Sequence, residues 1–97
     1  MTVSEVHLEG ARILGQDVLI EADIEEVGRF YTHLIVKEGG SKILVSTTKL
    51  ELLDILGEGQ ENKRIRVWGE VCSGEGVTSY VDAKTASLVV SNSSSPM

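Results

Sequence analysis

Hydrophobic and polar residues alternate with a period of two along most of the chain, the pattern of half-buried strands. From Val18 to Glu25, the residues Val18, Ile20, Ala22 and Ile24 fall on one side, and Leu19, Glu21, Asp23 and Glu25 on the other. From Lys63 to Val71, Ile65, Val67 and Val71 point one way, and Arg64, Arg66, Trp68 and Glu70 the other. The stretches Arg29–Lys37 (RFYTHLIVK) and Lys42–Thr47 (KILVST) are rich in β-branched and aromatic residues. Between them, Glu38-Gly39-Gly40-Ser41 has the composition of a hairpin turn. Along the first stretch Arg29, Tyr31, His33, Ile35 and Lys37 share one side; Phe30 is expected on the other, core-facing side with Thr32, Leu34 and Val36. Along the second, Lys42, Leu44 and Ser46 alternate with Ile43 and Val45. A last strand is expected from about Ser79 to Val90, and Val3 to Leu14 is expected to supply another strand or a curved lead-in. Gly10, Gly15 and Gly28 stand near the ends of these early runs, where a strand bends or bulges.

One segment has the pattern of a helix. Thr48-Lys49-Leu50-Glu51 fits a capping box, with Thr48 as N-cap and Glu51 three positions on. Leu50, Leu53, Ile55 and Leu56 follow, and Gly57 is placed to close the helix in a left-handed conformation. A polar glycine-rich loop then leads back to a strand. The tail 91–97 (SNSSSPM) has no periodicity and is expected to be disordered. The order is three strands, a helix and two strands. It predicts a mostly β chain: a five-stranded OB-fold Greek-key barrel with one short helix between strands 3 and 4, occupying residues 1–90 as a single domain.

Three stretches carry a family resemblance: Gly15–Ile24 (GQDVLIEADI) as an opening strand, Asn62–Val71 (NKRIRVWGEV) as a fourth, and Tyr80–Val90 (YVDAKTASLVV) as a closing one. In these the chain resembles the small OB-fold nucleic-acid-binding domains of the replication-protein-A-like and anticodon-binding groups. The resemblance implies an OB barrel that binds single-stranded nucleic acid without catalysing a reaction. It also implies a second role, as the small OB subunit of a nucleic-acid-maintenance complex paired with a larger protein. In this respect the sequence departs from the small replication-protein subunit by having no helical segment after Val90.

Composition fits one folded unit. The 97 residues are 41% hydrophobic and 25% charged, ordinary for a globular chain. The net charge of −6 argues against a generic duplex-coating protein. That charge is uneven. Residues 1–28 hold one arginine against seven acids, whereas residues 29–49 hold Arg29, Lys37, Lys42 and Lys49 against Glu38 alone. Cys72, the sole cysteine, forms no internal disulfide, and no secretory leader pattern opens the chain. No apolar stretch approaches the roughly 20 residues of a membrane span. These features predict a cytoplasmic protein, or a nuclear one in a eukaryote, with no membrane contact.

Catalytic and metal chemistry find little support. Gly57-Glu58-Gly59 and Gly74-Glu75-Gly76 are glycine-rich but complete no phosphate-binding motif, and their acids repel phosphate. Cys72, His7 and His33 lack the spacing of a zinc site, and Glu21, Asp23 and Glu25 form a solvated strand face. No nucleophile elbow is present. No cofactor, metal or catalytic residue is therefore expected. The constellation that remains is basic and aromatic: Arg29, Tyr31, His33, Lys37, Lys42, Arg64, Arg66 and Trp68. Single-stranded nucleic acid is held by flat π surfaces for bases and cations for phosphates, and OB-folds present both on strands 2 and 3.

Overall fold

The computed structural model describes residues 1–57, 63–74 and 77–89; the tail 91–97 and the loop 58–62 lie outside them. A short helix α1 (Val3–Glu9) leads through a 3-10 turn (Gly10–Ile13) into β1 (Asp17–Val27). A second 3-10 turn (Arg29–Tyr31) connects to β2 (His33–Glu38), then β3 (Ser41–Ser46), helix α2 (Leu52–Leu56), β4 (Arg64–Gly74) and β5 (Val77–Val89). The strands close into a barrel in the order β1-β2-β3-β5-β4, with β4 pairing back onto β1. All pairings are antiparallel except β3 with β5, which run parallel from Leu44 opposite Tyr80 to Ser46 opposite Asp82. This is the OB-fold barrel that the element order predicts.

The period-two pattern places the core. Ile20, Ala22 and Ile24 of β1 are buried with Leu34 and Val36 of β2, Ile43 and Val45 of β3, Ile65, Val67 and Val71 of β4, and Val81 and Ala83 of β5. Each Val, Leu or Ile side chain among them taken out of water stabilises the fold by about 1.5–3 kcal/mol, set against the entropy of ordering it. The β2–β3 hairpin turns on Gly39 and Gly40, whose φ values of 58° and 92° are those of a two-residue turn with both residues left-handed.

Residues 3–9 form a helix rather than the expected strand or lead-in. The cause is a capping box one turn into the chain. The Glu5 N–H donates to Thr2 Oγ1 at 3.1 Å, and the Thr2 N–H donates to Glu5 Oε1 at 2.8 Å. Val3 and Val6, three apart, then face the core fully buried. Seven residues are too few for a helix to stand alone in water, so packing holds α1. It lies over the barrel end that carries the β2–β3 hairpin. The Val3 N–H donates to Glu38 Oε1 at 3.0 Å, and His7 Nε2 donates to the Lys42 carbonyl at 2.6 Å. That carbonyl lies on the part of β3 that precedes its pairing with β5.

The similar Thr48–Glu51 pattern does not start a helix. Helix α2 begins at Leu52 after Glu51, with no side-chain cap, because residues 47–50 first make a turn closed by the Leu50 N–H on the Thr47 carbonyl. Leu52 and Leu56 are its buried contacts, and Gly57 ends it as expected, though at φ 65° and ψ −148°, a positive-φ conformation open to glycine rather than the left-handed helical one.

One glycine is fixed by close approach. A Cβ at Gly69, beside the β4–β5 register shift, would stand 2.2 Å from the Asp82 carbonyl oxygen and 2.7 Å from the Ala83 Cα. These are backbone atoms of the paired strand and have no rotamer by which to retreat. Gly69→Ala is expected to lower stability by about 1–3 kcal/mol, read as a lower urea midpoint at unchanged m value. An unchanged midpoint would contradict this contact.

Candidate functional site

Of the predicted site residues, the structure groups His33, Lys37 and Lys42 on the outer surface of β2 and β3, with Arg29 and Tyr31 in the turn that feeds β2. Arg64, Arg66 and Trp68 lie elsewhere. They project from β4, which in the barrel is separated from β2 by β1 and from β3 by β5. The eight residues therefore form two groups on different parts of the wall.

The strand expected from Arg29 begins only at His33. Residues 29–31 form a 3-10 turn in which Phe30 and Tyr31 take φ values of 64° and 58°. A left-handed backbone is unusual for bulky residues and costs on the order of 1–3 kcal/mol each, so surrounding contacts must enforce it. Those contacts come from buried Thr47. Its Oγ1 donates to the Tyr31 carbonyl and its N–H to the Thr32 carbonyl, both at 2.9 Å. At the base of the turn the Gly28 N–H donates to the His33 carbonyl at 2.8 Å. The His33 ring lies so close to Gly28 that a Cβ there would stand 2.2 Å from it. Phe30, expected in the core, is 82% exposed as a result, and Tyr31 is 37% exposed. The period-two pattern carried Phe30 inward because nothing local marks where the turn gives way to strand.

From His33 onward the predicted alternation holds. Leu34 and Val36 are buried; His33 and Ile35 are half-buried and Lys37 is exposed on the other face. Across β3 and β5 this outer face continues as rows. Lys37 pairs with Lys42, Ile35 with Leu44 and then Tyr80, and His33 with Ser46 and then Asp82.

The cations of the two groups differ in what they touch. Arg64 donates to Glu21 Oε2 at 3.0 Å and to Asp23 Oδ1 at 3.2 Å, and lies 3.6 Å from Glu38 Oε2. Arg66 reaches Glu21 Oε1 at 3.1 Å. The register explains this, since Glu21 stands opposite Arg66, and Asp23 opposite Arg64, across the β1–β4 ladder. Lys42 is paired too, with Glu25 at 2.9 Å. Arg29 and Lys37 are the candidate cations with no ion pair among the described residues.

Trp68 is exposed, as its place in the alternation predicts, and stands opposite Leu19 of β1, also exposed. Lys84 Nζ lies 5.3 Å from the indole centroid and pairs with Asp17 at 2.8 Å. Beside this pair a groove of about 260 Å³ runs between α1 and β1. Its carboxylates Glu5, Glu21 and Glu38 each accept a hydrogen bond within the protein. Cys72 is half-buried, and burial, reinforced by Glu70 and Asp82, pushes its thiol pKa up, away from the reactive thiolate. Among the described residues no three His, Cys, Asp or Glu side chains are grouped to hold a metal ion, and no helix is long and apolar enough to cross a membrane.

Solved structures share this barrel. Asparaginyl-tRNA synthetase from Pyrococcus horikoshii matches 92% of this chain over 22% of its own, at 15% identity and a TM-score of 0.70. The hypothetical protein ygiW from E. coli matches 92% over 88% of its chain, at 17% identity and a TM-score of 0.65. OBody AM3L15, in its complex with hen egg-white lysozyme, matches 93% over 92%, at 17% identity and a TM-score of 0.70. The chain thus spans about a fifth of the synthetase and nearly all of the other two. At such identities the likeness shows the fold alone. No family model matches the chain, and no curated protein matches it.

The ion network has an acid limit. Hydrogen bonds from Arg64, and then Arg66, hold the Glu21 carboxyl below its ordinary value of 4.5. A carboxyl depressed in the fold contributes stability above its unfolded pKa and loses it as pH falls through the folded one. Thermal unfolding of Glu21→Gln is therefore expected to show a shallower loss of Tm than the parent chain below about pH 4.5, the unfolded-state value. Parallel curves would show that Glu21 is not coupled to the arginines.

Proposed function

We propose that this protein is a non-enzymatic OB-fold domain that binds single-stranded nucleic acid across the outer face of β2 and β3 and the turn before β2. The observation that carries the reading is the exposed aromatic pair Phe30–Tyr31, held in a left-handed turn at the β1–β2 connection beside Arg29 and Lys37, two cations without ion pairs among the described residues. OB-folds engage oligonucleotides with strands 2 and 3 and with the loops joining strands 1–2 and 4–5, and this turn is the first of those loops. Phe30 and Tyr31 serve as stacking platforms, each contributing on the order of 1–3 kcal/mol per base. Arg29 and Lys37 meet phosphates, and His33 and Ile35 line the floor between them. The ligand is DNA or RNA encountered in the cytoplasm or, in a eukaryote, the nucleus. The shared fold of an asparaginyl-tRNA synthetase is consistent with this reading.

A second reading has its own observation. Leu19 and Trp68, 49% and 40% exposed, form an apolar pair on the opposite part of the wall, rimmed by Arg66, Glu21, Lys84 and Asp17. Exposed apolar patches with polar rims mark protein interfaces, and an OBody barrel of this fold is bound to lysozyme. On this reading the domain is a small subunit that docks on a larger protein.

Amide shifts distinguish the two. Titrating the labelled protein with oligothymidylate or oligouridylate at low salt is expected to shift resonances across residues 28–37 and 42–46, with micromolar or weaker affinity. Phe30→Ala is expected to weaken binding by about 1–3 kcal/mol without unfolding the barrel. Arg29→Glu combined with Lys37→Glu is expected to abolish it. If neither polymer moves the β2 and β3 resonances, the nucleic-acid reading is wrong. Partner capture that depends on Trp68 would then favour the second.

A further inference from the structure

Resting on the nucleic-acid reading, we infer that Glu25 competes with the ligand's phosphate for Lys42, so that this carboxylate sets how tightly the β2–β3 face holds a strand. Two observations carry the inference. The first is the contact itself: Lys42 Nζ lies 2.9 Å from Glu25 Oε2, although Lys42 belongs to β3 and Glu25 to β1, with β2 between them. The second is what brings Glu25 there. The β1–β2 register runs regularly to Ile24 opposite Val36 and resumes with Glu26 opposite Ile35. Glu25 is the extra residue of a bulge and has no partner on β2. Bulges re-aim side chains, and this one sends the carboxylate over β2 to the lysine of the next strand.

The consequence is chemical. Lys37 and Lys42 are direct cross-strand partners, and together they would present two adjacent ammonium groups to a backbone phosphate. With Glu25 in place one of the two is already neutralised. A phosphate must therefore displace an internal carboxylate, which resembles it in charge and in its acceptor oxygens. The pair is solvent-exposed, Lys42 at 57% and Glu25 at 36% by side chain, so it is weak enough to be displaced and strong enough to be felt.

Binding of a labelled oligothymidylate, followed by anisotropy at low salt, tests this. Glu25→Gln is expected to tighten binding about two- to fivefold, the range of an exposed ion pair. The gain should exceed that of Glu51→Gln, which removes the same charge from the approach to α2. Lys42→Ala is expected to weaken binding, though less than Lys37→Ala because Glu25 already holds Lys42 in part, and in the Lys42→Ala background the gain from Glu25→Gln should fall to that of Glu51→Gln. A Glu25→Gln gain no larger than that of Glu51→Gln, or one that stays above it without Lys42, would overturn the inference while leaving the nucleic-acid reading intact. Absence of binding by the parent chain and by Glu25→Gln alike would overturn both. Binding by Glu25→Gln alone would overturn the reading of the parent chain as a nucleic-acid binder and would exceed the gain that an exposed ion pair allows.

Discussion

The ladder between β1 and β4 sets the electrostatics of the molecule. β1 carries its acids on the outward positions, and β4 carries arginines on the same face in antiparallel register. Glu21 consequently meets Arg66, and Asp23 meets Arg64, as direct cross-strand neighbours. That pairing compensates a strand that would otherwise repel itself. It also removes from circulation the arginines that a count of basic residues offers to a phosphate. What remains open is the neighbouring part of the wall, where β2 and its preceding turn hold Arg29 and Lys37 without ion pairs among the described residues. The proposed site thus owes its position as much to where charges are cancelled as to where they occur.

The turn before β2 supplies the other half of the proposed site. Buried Thr47 is satisfied by two hydrogen bonds to residues 31 and 32, and those bonds pin the left-handed backbone of Phe30 and Tyr31. A phenyl ring held 82% exposed by such a backbone gains nothing from the core. Strain of this kind is retained where it orients a side chain for a task, and base stacking is a task that suits an exposed ring.

Most of the barrel was legible in the sequence because its strands are half-buried and alternate strictly. Residues 18–24 and 65–71 could be assigned to faces by inspection, and Gly39-Gly40 and Gly57 marked their turns by the conformations they alone adopt cheaply. The amino-terminal helix was missed although its capping box, Thr2 to Glu5, is written in the chain. The alternation of the following residues outweighed a helix of only seven residues. The similar pattern at Thr48 misled in the other direction, because Thr47 is engaged in tying β3 to the aromatic turn and the chain must reverse before α2 can begin. The site was legible as a set of residue types and only partly as a place. Periodicity gave Arg64, Arg66 and Trp68 an outward face, but strand order decides which outward faces are neighbours. The pairing of Lys42 with Glu25 depends on a bulge that no local pattern announces.

Among the described residues, Arg29 and Lys37 are the cations of the proposed face left without an ion pair to meet phosphate. The salt dependence of affinity counts them directly. For single strands the slope of log K against log salt is about −0.7 per phosphate contact. Contacts from Arg29 and Lys37, with Lys42 shared between phosphate and Glu25, predict a slope between about −1.4 and −2.1 for the parent chain. A slope near −3.5, the value for five contacts, would mean that Arg64 and Arg66 also leave their carboxylates to bind the strand, the opposite of what the β1–β4 ion pairs imply.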